Sequence, residues 1–375
     1  MNDLHERFMR EALALAERGR WHTAPNPTVG AVLVQDGRIV AEGWHAVYGQ
    51  AHAEVNCLRD AAERGVEPSR CTLYVTLEPC SHQGKTPPCT EAILKAGIRH
   101  VVIGMPDVNP RAAGGADVLR AHGVRVEMGI LEAECRELAA DFIVWQTQRR
   151  PCVILKMAAS LDGRIATREG RGQLLSHEGS RAEVMRLREH VGLAGGAVLV
   201  GGNTFFMDDP RLTARTSKVR RQPLAAVLSS RLPSPENPGR MVEERSGDCV
   251  FFTSFVQADT PAASALRERG CRVFGVDAGP RGLDVMQMLI HLRETEGCPY
   301  VLCEGGGRLA LSLLEAGTVD EFHLHLAPLI LGDSSARPLF SGRSVNSMEE
   351  ALRMRVVRIS AVDGDVHLYL RPIRS

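Results

Sequence analysis

The stretch Thr76–Cys89, TLEPCSHQGKTPPC, read together with AHAEV at positions 51–55, decides the first half of this 375-residue chain. His52 and Glu54 lie two residues apart where a helix is expected to begin, and Cys80 and Cys89 follow an apolar strand. One imidazole and two thiols make three zinc ligands. A catalytic zinc keeps its fourth position open for water, whereas a structural zinc is closed by a fourth protein ligand. An acid that is not itself a ligand, Glu54, has a use only in the catalytic case, where it passes protons between water and substrate. A closed site would need a further donor such as His82 or Cys71, and that alternative stays open in the sequence. So does the plainer one of core thiols and a chance histidine.

Outward from this stretch, the N-terminal half alternates strands and helices. A helix is expected from Asp3 to Arg18, then a hairpin, TVGAVLVQDGRIVAEGWH, about the Asp36-Gly37 turn. A helix over Ala53–Glu63, a strand over Thr72–Thr76, a helix at Thr90–Ala96 and a strand at His100–Gly104 follow. A short helix at Asp117–Ala121, a strand at Val124–Met128 and one long helix over Glu132–Gln146 complete it. This pattern implies an α/β layered sheet. The polar, proline-ended segment QTQRRP at Gln146–Pro151 reads as the linker, giving domains at 1–146 and 151–375.

The second half opens on the strand CVILKMAAS. Strands are expected near Ala197–Val200, Leu224–Leu228, Cys249–Phe252, Arg272–Val276 and Tyr300–Cys303, with helices at Glu178–His190 and Asp284–Arg293. MRVVRI and DVHLYL pair about Asp363-Gly364. YVLCEGGGRLALSLLEAG reads as strand, glycine turn and helix, which offers free backbone N–H groups and a positive helix end to a phosphate. The triplet Gly305-Gly306-Gly307 lacks the spaced dinucleotide fingerprint, so a plain structural turn is the competing reading. Asp162, in SLDG, reads as a turn former.

Lysine plus arginine and aspartate plus glutamate number 45 each, so no global basic field gathers nucleic acid. The acidic, amphipathic N-terminus is no signal peptide, and the apolar runs are too short to span a bilayer. Ten cysteines without an export signal read as reduced thiols and metal ligands. The expectation is a cytoplasmic protein that binds neither nucleic acid nor membrane.

His-x-Glu followed by Pro-Cys-x-x-Cys is the signature of zinc deaminases. Here eight residues, SHQGKTPP, separate the two cysteines where that pattern has two. With this long loop, and with PNPTVG (Pro25–Gly30), HAEV and TLEPCSHQGKTPPC, the chain resembles the bifunctional riboflavin-biosynthesis deaminase/reductase family. KMAASLDGRIA (Lys156–Ala166), DDPRLTAR (Asp208–Arg215) and EGGGRLALSLL (Glu304–Leu314) extend the resemblance over nearly the whole length.

The resemblance implies a cytidine-deaminase-like three-layer domain followed by a dihydrofolate-reductase-like α/β domain. It implies zinc on His52, Cys80 and Cys89 with Glu54 catalytic, and NADPH as second cofactor. The implied reactions are deamination of a diamino-hydroxy-pyrimidine bearing a phosphoribosylamino group, then reduction of its ribosyl chain to ribityl. Asn26 and His45 would hold the pyrimidine and Lys85 would meet the phosphate. Ala158, Leu174, Thr204, Asp208, Ser230, Gly306, Gly307, Arg308 and Leu309 would lie at the cofactor, with Ser229, Ser230 and Arg231 reading its 2′-phosphate. Gly172, Arg188, Leu212, Arg215 and Glu304 would lie at the reductase substrate. Gly172 and Leu174 stand where the family usually has serine and tryptophan, which predicts a working reductase with weaker cofactor binding. The implied partners are small phosphoribosylamino-pyrimidines and further copies of the chain, as a dimer or tetramer. A deaminase of another pyrimidine or of tRNA with a merely binding second domain, and a non-enzymatic nucleotide-binding protein stapled by zinc, are the competing classes.

Overall fold

The computed structural model describes residues 2–83, 87–170, 174–280 and 282–373. The chain divides into two compact units, Met1–Gln148 and Arg149–Ser375.

In the first unit the hairpin of Gly30–Gln35 and Arg38–Trp44 forms about Asp36 and Gly37, both at positive φ as a tight two-residue turn requires. It joins Thr72–Leu77, His100–Met105 and Arg125–Met128 in a five-stranded sheet. Gly30–Gln35 meets Thr72–Leu77 antiparallel, and the last three strands run parallel. Gly30 and Gly43 sit on opposite faces of the hairpin, because Gly43 pairs with Ala31, the neighbour of Gly30. A side chain on Gly30 would strike the backbone of the Asn2–Ala16 helix, and one on Gly43 that of the Ala53–Glu63 helix. Helices therefore cover both faces, making three layers around a core that includes Phe8, Leu33, Leu73 and Ile103.

The single helix expected over Glu132–Gln146 is two, Glu132–Leu138 and Ala140–Thr147, with Ala139 outside helical geometry at φ −91° and ψ 14°. The bend brings Cys135 and Phe142 into the same core.

The second unit holds a nine-stranded sheet in the order Arg272–Val276, Cys249–Ser254, Leu224–Leu228, Ala197–Gly201, Tyr300–Cys303, Cys152–Ser160, Glu321–Ala327, Asp365–Pro372, Met354–Val362. Neighbours are parallel as far as Glu321–Ala327, and the last two strands are antiparallel. Such a sheet is buried on both faces and its strands read as continuous apolar runs, as Ala197–Gly201 and Cys249–Ser254 do. At its edge of entry Arg150 and Asp320, both buried, form a two-pronged ion pair at 2.6 and 2.8 Å. Asp320 also accepts from the Val153 backbone N–H. Among the described residues, no helix is long and apolar enough to cross a membrane.

Candidate functional site

Each unit carries a cleft lined by residues that follow its strands. In the first unit, His52 is the residue before the Ala53–Glu63 helix, Glu54 lies in that helix's first turn, and Cys89 opens the Cys89–Lys95 helix. Two helix N-termini and the end of the Thr72–Leu77 strand so bring the three donors together. Nδ1 of His52 is 3.3 Å from Sγ of Cys89 and 3.6 Å from Sγ of Cys80. All three ligand atoms lie within 4.8 Å of one another, and no other group of three such donors occurs among the described residues. Cys71 is elsewhere, its thiol toward Gln35 and the Glu67 carbonyl. An imidazole and two thiols at this spacing fit a zinc ion. Cys80 is driven toward thiolate, its acidity raised chiefly by hydrogen bonding from Cys89 and also from His52.

Glu54 is buried, and desolvation raises its proton affinity. It lines a cleft of about 510 Å³ together with Asn26, His45, Cys80, Asp107 and Arg111. His45 is held in place by two carbonyls, Pro27 at 3.3 Å from Nδ1 and Val47 at 3.0 Å from Nε2. Its ring packs 5.2 Å from that of His52. Burial and the neighbouring His52 lower its pKa while the two carbonyls work against them, and with a carbonyl at each nitrogen the ring offers the cleft a face more than a free nitrogen. Lys85 lies outside the described residues.

Sequence reasoning missed the Pro106–Gly114 loop, which supplies Asp107, Asn109 and Arg111 to the cleft. Its signal was there: Asn, Pro and Gly directly after a parallel strand, where such sheets place their sites. Glu78, from the TLEPC stretch, organises this loop. Its carboxylate accepts from the backbone N–H groups of Asp107, Gly114 and Ala116 at 3.0, 3.2 and 2.9 Å. Asp107 is raised to about 6, mainly by burial.

In the second unit a cleft of about 1310 Å³ is lined by Leu174, Arg188, Thr204, Asp208, Leu212, Arg215, Ser230, Glu304, Gly306, Gly307, Arg308 and Leu309. Ala158 is not among the lining residues, and Gly172 lies outside the described residues. Gly306 adopts φ 88°, the left-handed region open to glycine, just before the Gly307–Glu315 helix. A side chain on Gly307 would strike the Leu339 carbonyl. The turn thus brings backbone to the cleft wall, as a phosphate requires. Arg188 grips Glu304 through two bonds of 2.6 Å and donates to the Thr213 carbonyl. Arg231 stacks its guanidinium 4.1 Å over Phe206, while the Ser229 hydroxyl is taken up by the Arg231 carbonyl. Asp162 is a turn anchor: Ser160 Oγ and the N–H groups of Leu331 and Gly332 all donate to it.

Residues 2–105 match the cytidine and deoxycytidylate deaminase zinc-binding region, and residues 151–368 match the RibD C-terminal domain. The riboflavin biosynthesis protein RibD of Aquifex aeolicus is 36% identical over 99% of both chains. The chain belongs to the RibD family. The Escherichia coli RibD is 35% identical, over 97% of this chain and 98% of its own. Among solved structures, Acinetobacter baumannii RibD superposes with a TM-score of 0.80 at 33% identity, with both chains covered in full. A Thermotoga maritima protein described as a diaminohydroxyphosphoribosylaminopyrimidine deaminase and 5-amino-6-(5-phosphoribosylamino)uracil reductase matches equally well, at 0.80 and 33% over 99% of each chain. As a RibD protein the chain is a bifunctional deaminase and reductase of riboflavin biosynthesis, with a zinc-binding deaminase region ahead of the RibD C-terminal domain.

Proposed function

We propose that residues 1–146 deaminate a 2,5-diamino-6-(5-phosphoribosylamino)pyrimidin-4-one and that residues 151–375 then reduce the ribosyl chain of the product with NADPH. The observation that carries the first step is the convergence of His52, Cys80 and Cys89 beside a buried, non-ligating Glu54. Zinc held by those three residues supplies a Lewis acid that activates water at neutral pH. With zinc bound, Glu54 would hold and move a proton between water and the departing amine, a task suited to a carboxyl whose proton affinity burial has raised. Asn26 donates to the pyrimidine, and His45 closes the site over it.

For the second step NADPH supplies the hydride, and the chain's own groups bind and align. The Gly306–Gly307 turn receives the pyrophosphate at the helix N-terminus, with Arg308 and Leu309 following it. Ala158, Leu174, Thr204, Asp208 and Ser230 complete the cofactor side. Arg188, Leu212, Arg215, Glu304 and Gly172 form the substrate side, where an exposed guanidinium such as Arg215 suits the 5-phosphate. The protein acts in the cytoplasm as a homo-oligomer.

The test is to incubate the purified chain with the diamino-pyrimidine phosphate and identify products by mass. Deaminated product alone is expected without NADPH, and the ribityl product with it. Unchanged substrate in both arms would overturn the proposal.

A further inference from the structure

The cleft of the first unit carries a charge pattern that the zinc donors and Glu54 leave unexplained. Among the described residues that line it, Glu54, Glu78 and Asp107 bring carboxyls, and Arg111 alone brings a permanent positive charge. Glu54 and Glu78 are buried and Asp107 is half-buried, whereas Arg111 is exposed, so the cleft is acidic within and basic at its outer wall. Exposed arginines elsewhere in this unit pair with neighbouring acids: Arg64 with Asp60 at 2.9 Å, Arg120 with Asp117 at 2.9 Å and Arg136 with Glu132 at 2.7 Å. Arg111 has no such acid. Its backbone N–H meets Asn109 Oδ1 at 3.1 Å, and among the described residues nothing bonds its guanidinium.

An exposed arginine is ordinarily a solvated one. What distinguishes this one is the backbone that carries it. The Glu78 carboxylate accepts from N–H groups at both ends of the loop, Asp107 at 3.0 Å and Gly114 at 3.2 Å. Within the loop, Asp107 Oδ1 accepts from the Asn109 N–H at 2.8 Å, and the Asn109 carbonyl from those of Ala112 and Ala113 at 2.9 and 3.0 Å. The Ala112 carbonyl accepts from the N–H of Ser81 at 3.2 Å, and the Ala113 carbonyl from its hydroxyl at 3.0 Å. The backbone of Arg111 is thus tied on both sides, and on one of them to the residue that follows Cys80. Binding an anion there orders a side chain and no more of the chain, which keeps the entropic cost small.

We propose that Arg111 receives the 5-phosphate of the deaminase substrate, and so sets the direction in which that substrate enters and its preference over the dephosphorylated compound. The inference rests on the deaminase reading above. A guanidinium fork meets two phosphate oxygens at once through parallel N–H bonds, which a point charge cannot do. A phosphate turned the other way would face Glu54, Glu78 and Asp107 with no cation to offset them. The uncharged pyrimidine meets no such repulsion at the inner end. The charge pattern that holds the phosphate outward therefore points the ring toward His52, Cys80 and Cys89. Arg111 takes no part in the chemistry at the ring; its contribution is to binding and to selection.

The decisive measurement compares the diamino-pyrimidine phosphate with its dephosphorylated counterpart as substrates of the full chain. Arg111→Ala should lower the ratio of their kcat/KM values by roughly ten- to a hundredfold, through KM of the phosphorylated compound, with zinc retained. Arg111→Lys, which keeps the charge but not the fork, should lie between. An unchanged ratio overturns the proposal, and so does equal loss on both compounds, which marks a loop defect. Binding is read apart from turnover by phosphorus NMR of ribose 5-phosphate, whose line wild type should broaden more than Arg111→Ala does. The reductase cleft is common to both proteins, so the difference belongs to Arg111. Equal broadening by both overturns the proposal. Wild type that deaminates neither compound sinks the deaminase reading itself, on which the NMR difference does not depend.

Discussion

Glu54 and the three donors separate cleanly by substitution because only the donors hold metal. Glu54→Gln keeps the shape and the zinc while removing the group that moves the proton, so deamination should fall by roughly 10²- to 10⁴-fold with about one zinc per chain retained. Cys80→Ser or Cys89→Ser should lose zinc and deamination together, since a hydroxyl is a far poorer zinc ligand than a thiolate. Metal analysis beside the rate assay distinguishes the two; a Glu54→Gln protein that deaminates at the wild-type rate would make this carboxyl structural. In the reductase cleft, Arg231 is held ready by its stack on Phe206, and Ser230 lines the cleft beside it, whereas the Ser229 hydroxyl is spent on the Arg231 carbonyl. A charge-assisted bond is worth about 1.5–3 kcal/mol, so Arg231→Ala should cut the preference for NADPH over NADH by roughly ten- to a hundredfold. Equal loss with both cofactors would place the 2′-phosphate elsewhere.

Elements were legible where their chemistry was local. The Asp36-Gly37 hairpin, the apolar parallel strands and the glycine turn before Gly307–Glu315 all stand where turn residues and period predict them. The Glu321–Ala327 strand was not among the elements expected, because histidines interrupt the apolar run in FHLHL. Of its two histidines His325 is buried and His323 half-buried, and the burial has a cause the sequence hides, the stacking of His325 on His367 about 40 positions later. The Pro261–Glu268 helix carried its own signal in Thr260, whose hydroxyl accepts from the Ala263 N–H ahead of a proline at the first turn, and was passed over. Asp162 also acts at this scale. It ties the start of the reductase unit to the 331–338 segment, whose Arg337 and Pro338 line the cleft. The Ser160 hydroxyl, with those N–H groups, holds its pKa down to about 2, below the ordinary value of ~3.9. Its contribution is thus complete above about pH 4 and is lost only as pH falls toward 2. Asp162→Asn should free the segment at neutral pH and weaken NADPH binding about two- to tenfold, as read by fluorescence titration, with deamination untouched. Unaltered binding would show that the cleft wall holds without this anchor.

At the scale of the whole molecule, each unit has its own core and its own cleft, and every residue assigned to one reaction comes from one unit. Among the described residues each cleft is lined from one unit alone, so damage confined to one cleft is expected to spare the other. Glu54→Gln should therefore stop conversion of the diamino substrate yet leave reduction of the already deaminated compound at the wild-type rate. Arg215→Ala should do the reverse: it is exposed at the second cleft, bonded only weakly to Thr213 at 3.5 Å, and so removable without loss of fold. Losing one charge-assisted phosphate contact should raise KM for the deaminated compound by roughly ten- to a hundredfold while the deaminase rate stays level. The check is to assay each variant with each substrate separately, the second supplied directly instead of made in place. If Glu54→Gln slows reduction of compound supplied directly, or Arg215→Ala slows deamination, the two steps are energetically coupled, and assigning each to a self-contained unit is wrong.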